Sequence, residues 1–208
     1  MSLSEIDFIN QQRDSAWFIS LEETIALGAQ NTIFDPRSTL ISRWVQIGVW
    51  NVLYPNVTIR LWEESCLSIG DQNIFYSSTY LEASNWWSLT IWSHNHFEWW
   101  ISIKSNMSTA MITVWNNGRY INQVLQVLWK TNLWDWSQII GAITAQNCIL
   151  DAGEDFQNPD PDKRWWLLKW YWVARNLQIP LGQWLEGFGS FGLEGIFFQS
   201  QNHPSKKL

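Results

Sequence analysis

His94, His96 and Glu98 stand at i, i+2 and i+4 among β-branched and aromatic residues. On an unbroken strand that spacing would set three metal-type ligands on one face. Here Ser93, His94, Asn95 and His96 read as a tight turn, so the three do not converge and no metal is expected. Glu98 and His96 remain as candidates for an acid and a base, without a complete catalytic constellation around them.

The turn predicts a hairpin with strands over 86–92 and 97–104. One of its faces carries Trp86, Trp92, Phe97, Trp99, Ile101 and Ile103 and should be core. The other carries Trp87, Leu89, Ile91, His96, Glu98, Trp100 and Lys104. In that register Trp87 and Trp100 are diagonal neighbours, so the expected binding set is an indole platform of Trp87 and Trp100 with Leu89 and Lys104 at its margin.

Other chemistry is excluded more firmly. Gly187, Gly189 and Gly192 spell a dinucleotide-type glycine pattern, but they follow an expected helix with too little chain beyond it for a βαβ unit. Asp151, Glu154, Asp155, Asp160 and Asp162 lack the ligand ladder of a calcium loop and read as a solvated loop with helix capping. Cys66 and Cys148 are isolated, and the expectation is two reduced, buried thiols. No serine nucleophile elbow and no phosphate loop is present, and no cofactor is expected.

Composition frames these residues. The chain has 208 residues with 18 tryptophans, 15% charged residues and a net charge of −6, against about 25% charged residues in ordinary soluble domains. From Trp86 to Leu150 there are nine tryptophans but only Glu98, Lys104, Arg119, Lys130 and Asp135 to carry charge. A surface poor in charge and rich in indole resembles the centre of an interface. The acidic balance argues against nucleic acid, whose phosphates need a basic footprint. Met1–Asp7 is polar, and no run approaches the roughly 18 apolar residues of a membrane span, so a cytoplasmic location is expected.

The elements expected to position these groups form a single α+β domain over 1–208. Its parts are a helical segment over 1–55, a five-stranded antiparallel meander within 56–116, helices over 119–188 packed on the sheet, and an irregular tail over 189–208. Ser2 with Glu5 suggests a capping box for a first helix, 22–29 a second, and Asp35 with Pro36 the start of a third. Strands are predicted at 57–64, 73–81, 86–92, 97–104 and 108–115. Apolar residues at 121, 124, 125, 128 and 129, and again at 136, 139, 140 and 143, have helical spacing; further helices are expected over 161–176 and 181–188. No internal repeat is evident.

The function expected from this reading is a non-enzymatic binding or assembly subunit that docks a protein partner, another copy of itself, or a flat apolar ligand. Two alternatives stand beside it. One is a small-molecule enzyme with an aromatic pocket using Glu98 and His96 as acid and base. The other is an acidic inhibitor or immunity-type protein acting through the loop over 151–162.

Overall fold

In a computed structural model the chain winds as a parallel β-solenoid, with short strands stacked into three flat faces joined at corners. The described residues are 4–106, 110–121, 125–155, 157–164, 167–188 and 196–198. The first face runs through Thr32–Ile33, Val52–Leu53, Ile74–Phe75, His96–Glu98, Arg119–Ile121 and Gln138–Ile140. The second runs through Leu40–Ile41, Thr58–Leu61, Tyr80–Ala83, Ile101–Ser105, Leu125–Leu128 and Ile143–Gln146. The third runs from Gln46–Ile47 through Cys66–Ile69, Ser88–Ile91, Met111–Val114, Asn132–Leu133 and Ile149–Leu150 to Gln178–Ile179. Leu167–Arg175 bends round a corner and serves the first and second faces in turn.

All of these pairings are parallel, which corrects the antiparallel meander and the α+β class. Parallel strands need a long crossover, and here the other two faces of each coil supply it. Ile47, Ile69 and Ile91 are register partners, so a coil in this part of the stack is 22 residues long. Leu150 pairs with Ile179 across 29 residues, because the acidic loop after Leu150 is inserted at that corner. The antiparallel pair among the described strands is Gln183–Phe188 with Ile196–Phe198, at the C-terminal end of the stack.

Inward residues alternate with outward ones on most of the described strands, as the pleat requires. Leu53, Phe75, Phe97, Tyr120, Ile139 and Leu168 line the first face inside, Ile59, Leu81, Ile103 and Val127 the second, and Ile69, Ile91, Val114 and Leu133 the third. The rings of Phe75 and Phe97 stack at 5.0 Å and those of Phe97 and Tyr120 at 5.1 Å.

At the corner entering the first face, Asn31, Asn51, Asn73 and Asn95 form a buried ladder. Each side-chain oxygen accepts the backbone N–H of the next residue, at 2.9 Å in all three steps. The ladder ends where Gly118 N–H donates to Asn95 Oδ1 at 2.8 Å. A Cβ on Gly118 would lie 2.3 Å from the Tyr120 hydroxyl oxygen, which is bonded to Ser137 Oγ at 2.9 Å. Gly118→Ala is therefore expected to destabilise the fold by about 1–3 kcal/mol through overpacking, read from the urea midpoint; an unchanged midpoint would mean that Tyr120 shifts without cost.

Two helices precede the coils. Glu5–Ser15 has a capping box of Ser4 with Asp7, and Leu21–Leu27 one of Ser20 with Glu23. Phe18 and Leu21 are buried, and Ile19 N–H donates to Ile41 O at 2.9 Å, so this segment closes the first coil. The first cap lies two residues later than the spacing suggested. Where a third helix was expected behind Pro36, a turn leads into Leu40–Ile41.

Among the described residues over 119–188, strands and turns stand where helices were expected, with a short 3-10 turn at Pro161–Lys163. Trp165, Trp166 and most of the expected tail lie outside the described residues, while Ile196–Phe198 within that tail is a strand. Among the described residues no helix is long and apolar enough to cross a membrane.

Candidate functional site

The corner column and the outer stripe of the first face meet in a groove of about 540 Å³ lined by His94, His96, Asn117, Gly118, Arg119, Trp136 and Gln138. His94, Asn117 and Trp136 occupy the same corner position in successive coils, each in the left-handed region at φ 62, 59 and 63. They are tied rung to rung by backbone bonds: His94 N–H to Asp71 O at 3.0 Å, Asn117 N–H to Ser93 O at 3.1 Å and Trp136 N–H to Asn116 O at 2.9 Å. His96, Arg119 and Gln138 are register partners two residues further on, pointing outward because Phe97, Tyr120 and Ile139 point inward. The groove is thus two parallel columns on rigid backbone.

Arg119 Nε donates to Glu98 Oε1 at 2.9 Å. Glu98 is buried and Arg119 half exposed, so the carboxylate fixes one edge of the guanidinium and leaves the rest toward solvent. The His96 imidazole is half-buried, and its pKa lies below the ordinary 6.5. Burial is the main cause; Glu98 pulls it up and Arg119 pushes it down. At neutral pH the ring is therefore neutral, able to donate from one nitrogen and accept at the other.

His96 and Glu98 thus share the outer side of one strand, but the acid-and-base pairing expected for them is corrected: Glu98 serves Arg119. Arg119, Asn117, Trp136 and Gln138 went unnoticed in the sequence because that stretch read as turn and helix. The signal that leads to them is the recurrence of Asn31, Asn51, Asn73 and Asn95, each two residues ahead of an inward apolar residue, continued by Gly118 ahead of Tyr120 and Ser137 ahead of Ile139.

The expected indole platform does not form. Leu89 is an inward core residue with no exposed surface. Trp87 is half-buried at the entrance to the third face, whereas Trp100 is exposed at the corner between the first and second faces, at φ 51. Lys104 lies outward on the second face with its ammonium 5.0 Å from the Tyr80 ring centre. Burial, then Glu82, pushes the Tyr80 hydroxyl up to about 12.

Among the described residues no group of three metal-type ligands is close enough to hold an ion. Asp160 caps the Pro161–Lys163 turn rather than a long helix. Gly187 lies within a parallel strand opposite Trp170, and Gly189 and Gly192 lie outside the described residues. Cys148 is buried, its thiol pushed up chiefly by burial, but Cys66 is exposed, contrary to the expectation for both.

No family model matches the chain, and no curated protein matches its sequence. Solved structures similar to it include the N-acyltransferase AntD from Bacillus cereus, determined as a point mutant with dTDP and coenzyme A. It is 13% identical, with a TM-score of 0.34, over 82% of this chain and 86% of that one. A UDP-N-acetylglucosamine O-acyltransferase from Moraxella catarrhalis is 12% identical, with a TM-score of 0.34, over 76% and 70%. LpxA from Acinetobacter baumannii is 17% identical, with a TM-score of 0.30, over 77% and 70%. The expected non-enzymatic docking subunit is not retained: the hairpin and the platform on which it rested are absent. The aromatic pocket between sheet and helices goes with it, since the helices close one end of the stack instead of covering a sheet. The inhibitor reading goes too, as its loop is an insertion that caps its own turn through Asp160.

Proposed function

We propose that the His94 to Gln138 groove binds a small molecule and that His96 accepts a proton from a hydroxyl or amino group held there, activating it for group transfer from an electrophilic donor. The observation that supports this reading is the neutral, half-buried His96 imidazole facing a groove beside a positioned cation. A general base must be unprotonated at working pH, and burial keeps His96 so. Arg119, oriented by Glu98, offers a positive charge to an anionic part of the ligand. The Asn117 and Gln138 amides supply hydrogen bonds, and the Trp136 indole an apolar wall. We place this activity in the cytoplasm, and sedimentation of the purified chain tests the homo-oligomer expected with it.

Hydrolysis of p-nitrophenyl acetate tests the base. His96 takes a proton from water, the oxygen attacks the acyl carbon, and p-nitrophenolate leaves. The protein-dependent rate should be level at neutral pH and fall as acidity protonates the ring, with a midpoint below 6.5. His96→Gln should lower it by about 10²-fold, within the range for general-base catalysis. Glu98→Gln, which loosens Arg119 without removing the base, should cost less. An unchanged rate in His96→Gln, or a midpoint above the ordinary imidazole value, removes the reading.

A further inference from the structure

A second groove, away from His96, lies at the first coils near the corner between the second and third faces. It has a volume of about 620 Å³ and is lined by four tryptophans, Trp17, Trp44, Trp62 and Trp86, with Glu63, Glu82, Ser84, Asn85 and Leu61. The four indoles are 45%, 70%, 43% and 71% exposed. Large aromatic surface left in water as one patch marks a place where something else covers it.

The backbone does not ask for tryptophan there. Trp17, Trp44 and Trp86 stand in the left-handed region at φ 64, 63 and 71, where a bulky residue is strained by about 1–3 kcal/mol and asparagine or glycine is at ease. Other left-handed corners of this chain use Asn56, Asn85, Asn117 and Asn147, and also Trp50, Trp99, Trp100, Trp129 and Trp136. What sets the groove apart is that four exposed indoles line one concavity.

Their arrangement selects the ligand. Trp17 and Trp44 have ring centres 5.9 Å apart and planes inclined at 42°, so they are adjacent panels along an open groove rather than walls closing round a point. Trp62 is backed by the Arg60 guanidinium, 4.1 Å from its ring centre, which holds the indole in place. The polar lining consists of carboxylates, an amide and a hydroxyl, with no basic side chain. Glu82 is fixed by the Tyr80 hydroxyl at 2.7 Å, and Glu63 makes no ion pair among the described residues. Such a lining repels anions and offers acceptors to hydroxyl groups. A pyranose ring has that pairing: C–H groups on its faces to lie against indole, and hydroxyls round its edge to reach Glu63, Glu82 and Asn85.

We infer that this groove is a binding site for a neutral oligosaccharide, separate from the His96 groove. Its sugar rings stack on Trp44, Trp86 and the neighbouring indoles, and their edge hydroxyls donate to the two carboxylates.

The test is calorimetric titration of the whole chain with cellotetraose, chitotetraose and maltotetraose, with choline as the competing probe for an aromatic cation cage. At least one tetrasaccharide should bind saturably. Trp44→Ala and Trp86→Ala should each weaken binding by about 10-fold or more, the scale of losing a buried aromatic anchor. Trp44→Phe, which keeps a stacking face, should lose much less, and His96→Gln should change nothing. Both indoles are about seven-tenths exposed, so circular dichroism of the alanine variants should match the parent; if one fails to fold, the phenylalanine variant at the same position carries the comparison. Absence of binding by all three sugars, retention of affinity in the Trp44→Ala and Trp86→Ala double variant, or binding of choline in their place would overturn the inference. Because His96→Gln leaves this site intact, its outcome is independent of the proton-transfer reading.

Discussion

Arg13→Met should detach the helical cap from the coils. Arg13 lies in Glu5–Ser15 and is 4% exposed, yet its guanidinium makes five hydrogen bonds. Nη1 donates to Ile19 O at 3.3 Å and to Thr24 Oγ1 at 3.0 Å. Nη2 donates to the carbonyls of Pro36, Arg37 and Thr39 at 2.8, 3.0 and 3.0 Å. One planar fork thus ties the first helix, the second helix and the turn leading into Leu40–Ile41. Methionine fills a similar volume but leaves those acceptors without a donor, at a cost of about 3–5 kcal/mol. Lysine keeps the charge but, as a compact ammonium, cannot span the same carbonyls, so Arg13→Lys should recover less than half of the loss. A coil stack is joined mainly through neighbours, so the effect should be local. Amide exchange should accelerate by about 10²–10³-fold in Leu21–Leu27 and Leu40–Ile41 but not around Asn95. Equal exchange in both regions, or none, would contradict this account.

Asn73→Ala should be nearly as damaging, and at the centre of the stack. Asn73 is fully buried, and its Oδ1 accepts both the backbone N–H of Asn95 at 2.9 Å and Asn95 Nδ2 at 3.1 Å. Its Nδ2 donates to Asn51 Oδ1 at 3.1 Å. Alanine orphans the Asn95 N–H inside the corner and leaves a small void, for about 3–4 kcal/mol in all. Asn73→Asp adds a sign that can be read. Burial raises the folded-state pKa of the new carboxyl above its unfolded value, so the variant should gain stability as pH falls through that folded value and lose it as pH rises. A urea midpoint of Asn73→Asp that does not move with pH would show that water reaches the ladder.

Both variants act on features whose local signals differ sharply in legibility. Serine followed three residues on by an acidic residue marks a helix start through contacts within one turn, so the helix at Glu5–Ser15 was foreseen, displaced by two residues; the one at Leu21–Leu27 was expected over 22–29 without its Ser20 cap. The outward setting of His96 and Glu98 about an inward Phe97 was equally legible, because alternation follows from the pleat of a single strand. Strand pairing was not. The run over 97–104 is split by Trp99 and Trp100 in the left-handed region into strands on two different faces. The connection at Ser93–His96 that looks like a hairpin is likewise a corner, between the third and first faces, and the partner of each strand is one coil away in sequence.

The expected helices failed for a related reason. Short strands separated by corners place apolar residues at helix-like spacing, as at Ile139 and Ile143 on consecutive strands, and Leu125 and Leu128 at the two ends of one strand add a spacing of three. The β-branched content of that stretch was the contrary sign. The repeat itself lay in the text as Asn31, Asn51, Asn73 and Asn95, each two residues ahead of an apolar residue and three ahead of Phe34, Tyr54, Tyr76 or Glu98. Its irregular spacing and the break at Gly118 hid it.

By itself the sequence determined the caps, the in-and-out order of single strands and the separation of the acidic loop, since each depends on neighbours a few residues apart. The tertiary structure alone decided that His96 meets Arg119 and Gln138, and that Trp17 and Trp44 meet Trp62 and Trp86. Those groups are brought side by side by stacking of coils about twenty residues long, a distance at which the hydrogen-bond register, and not the local pattern, sets who is a neighbour.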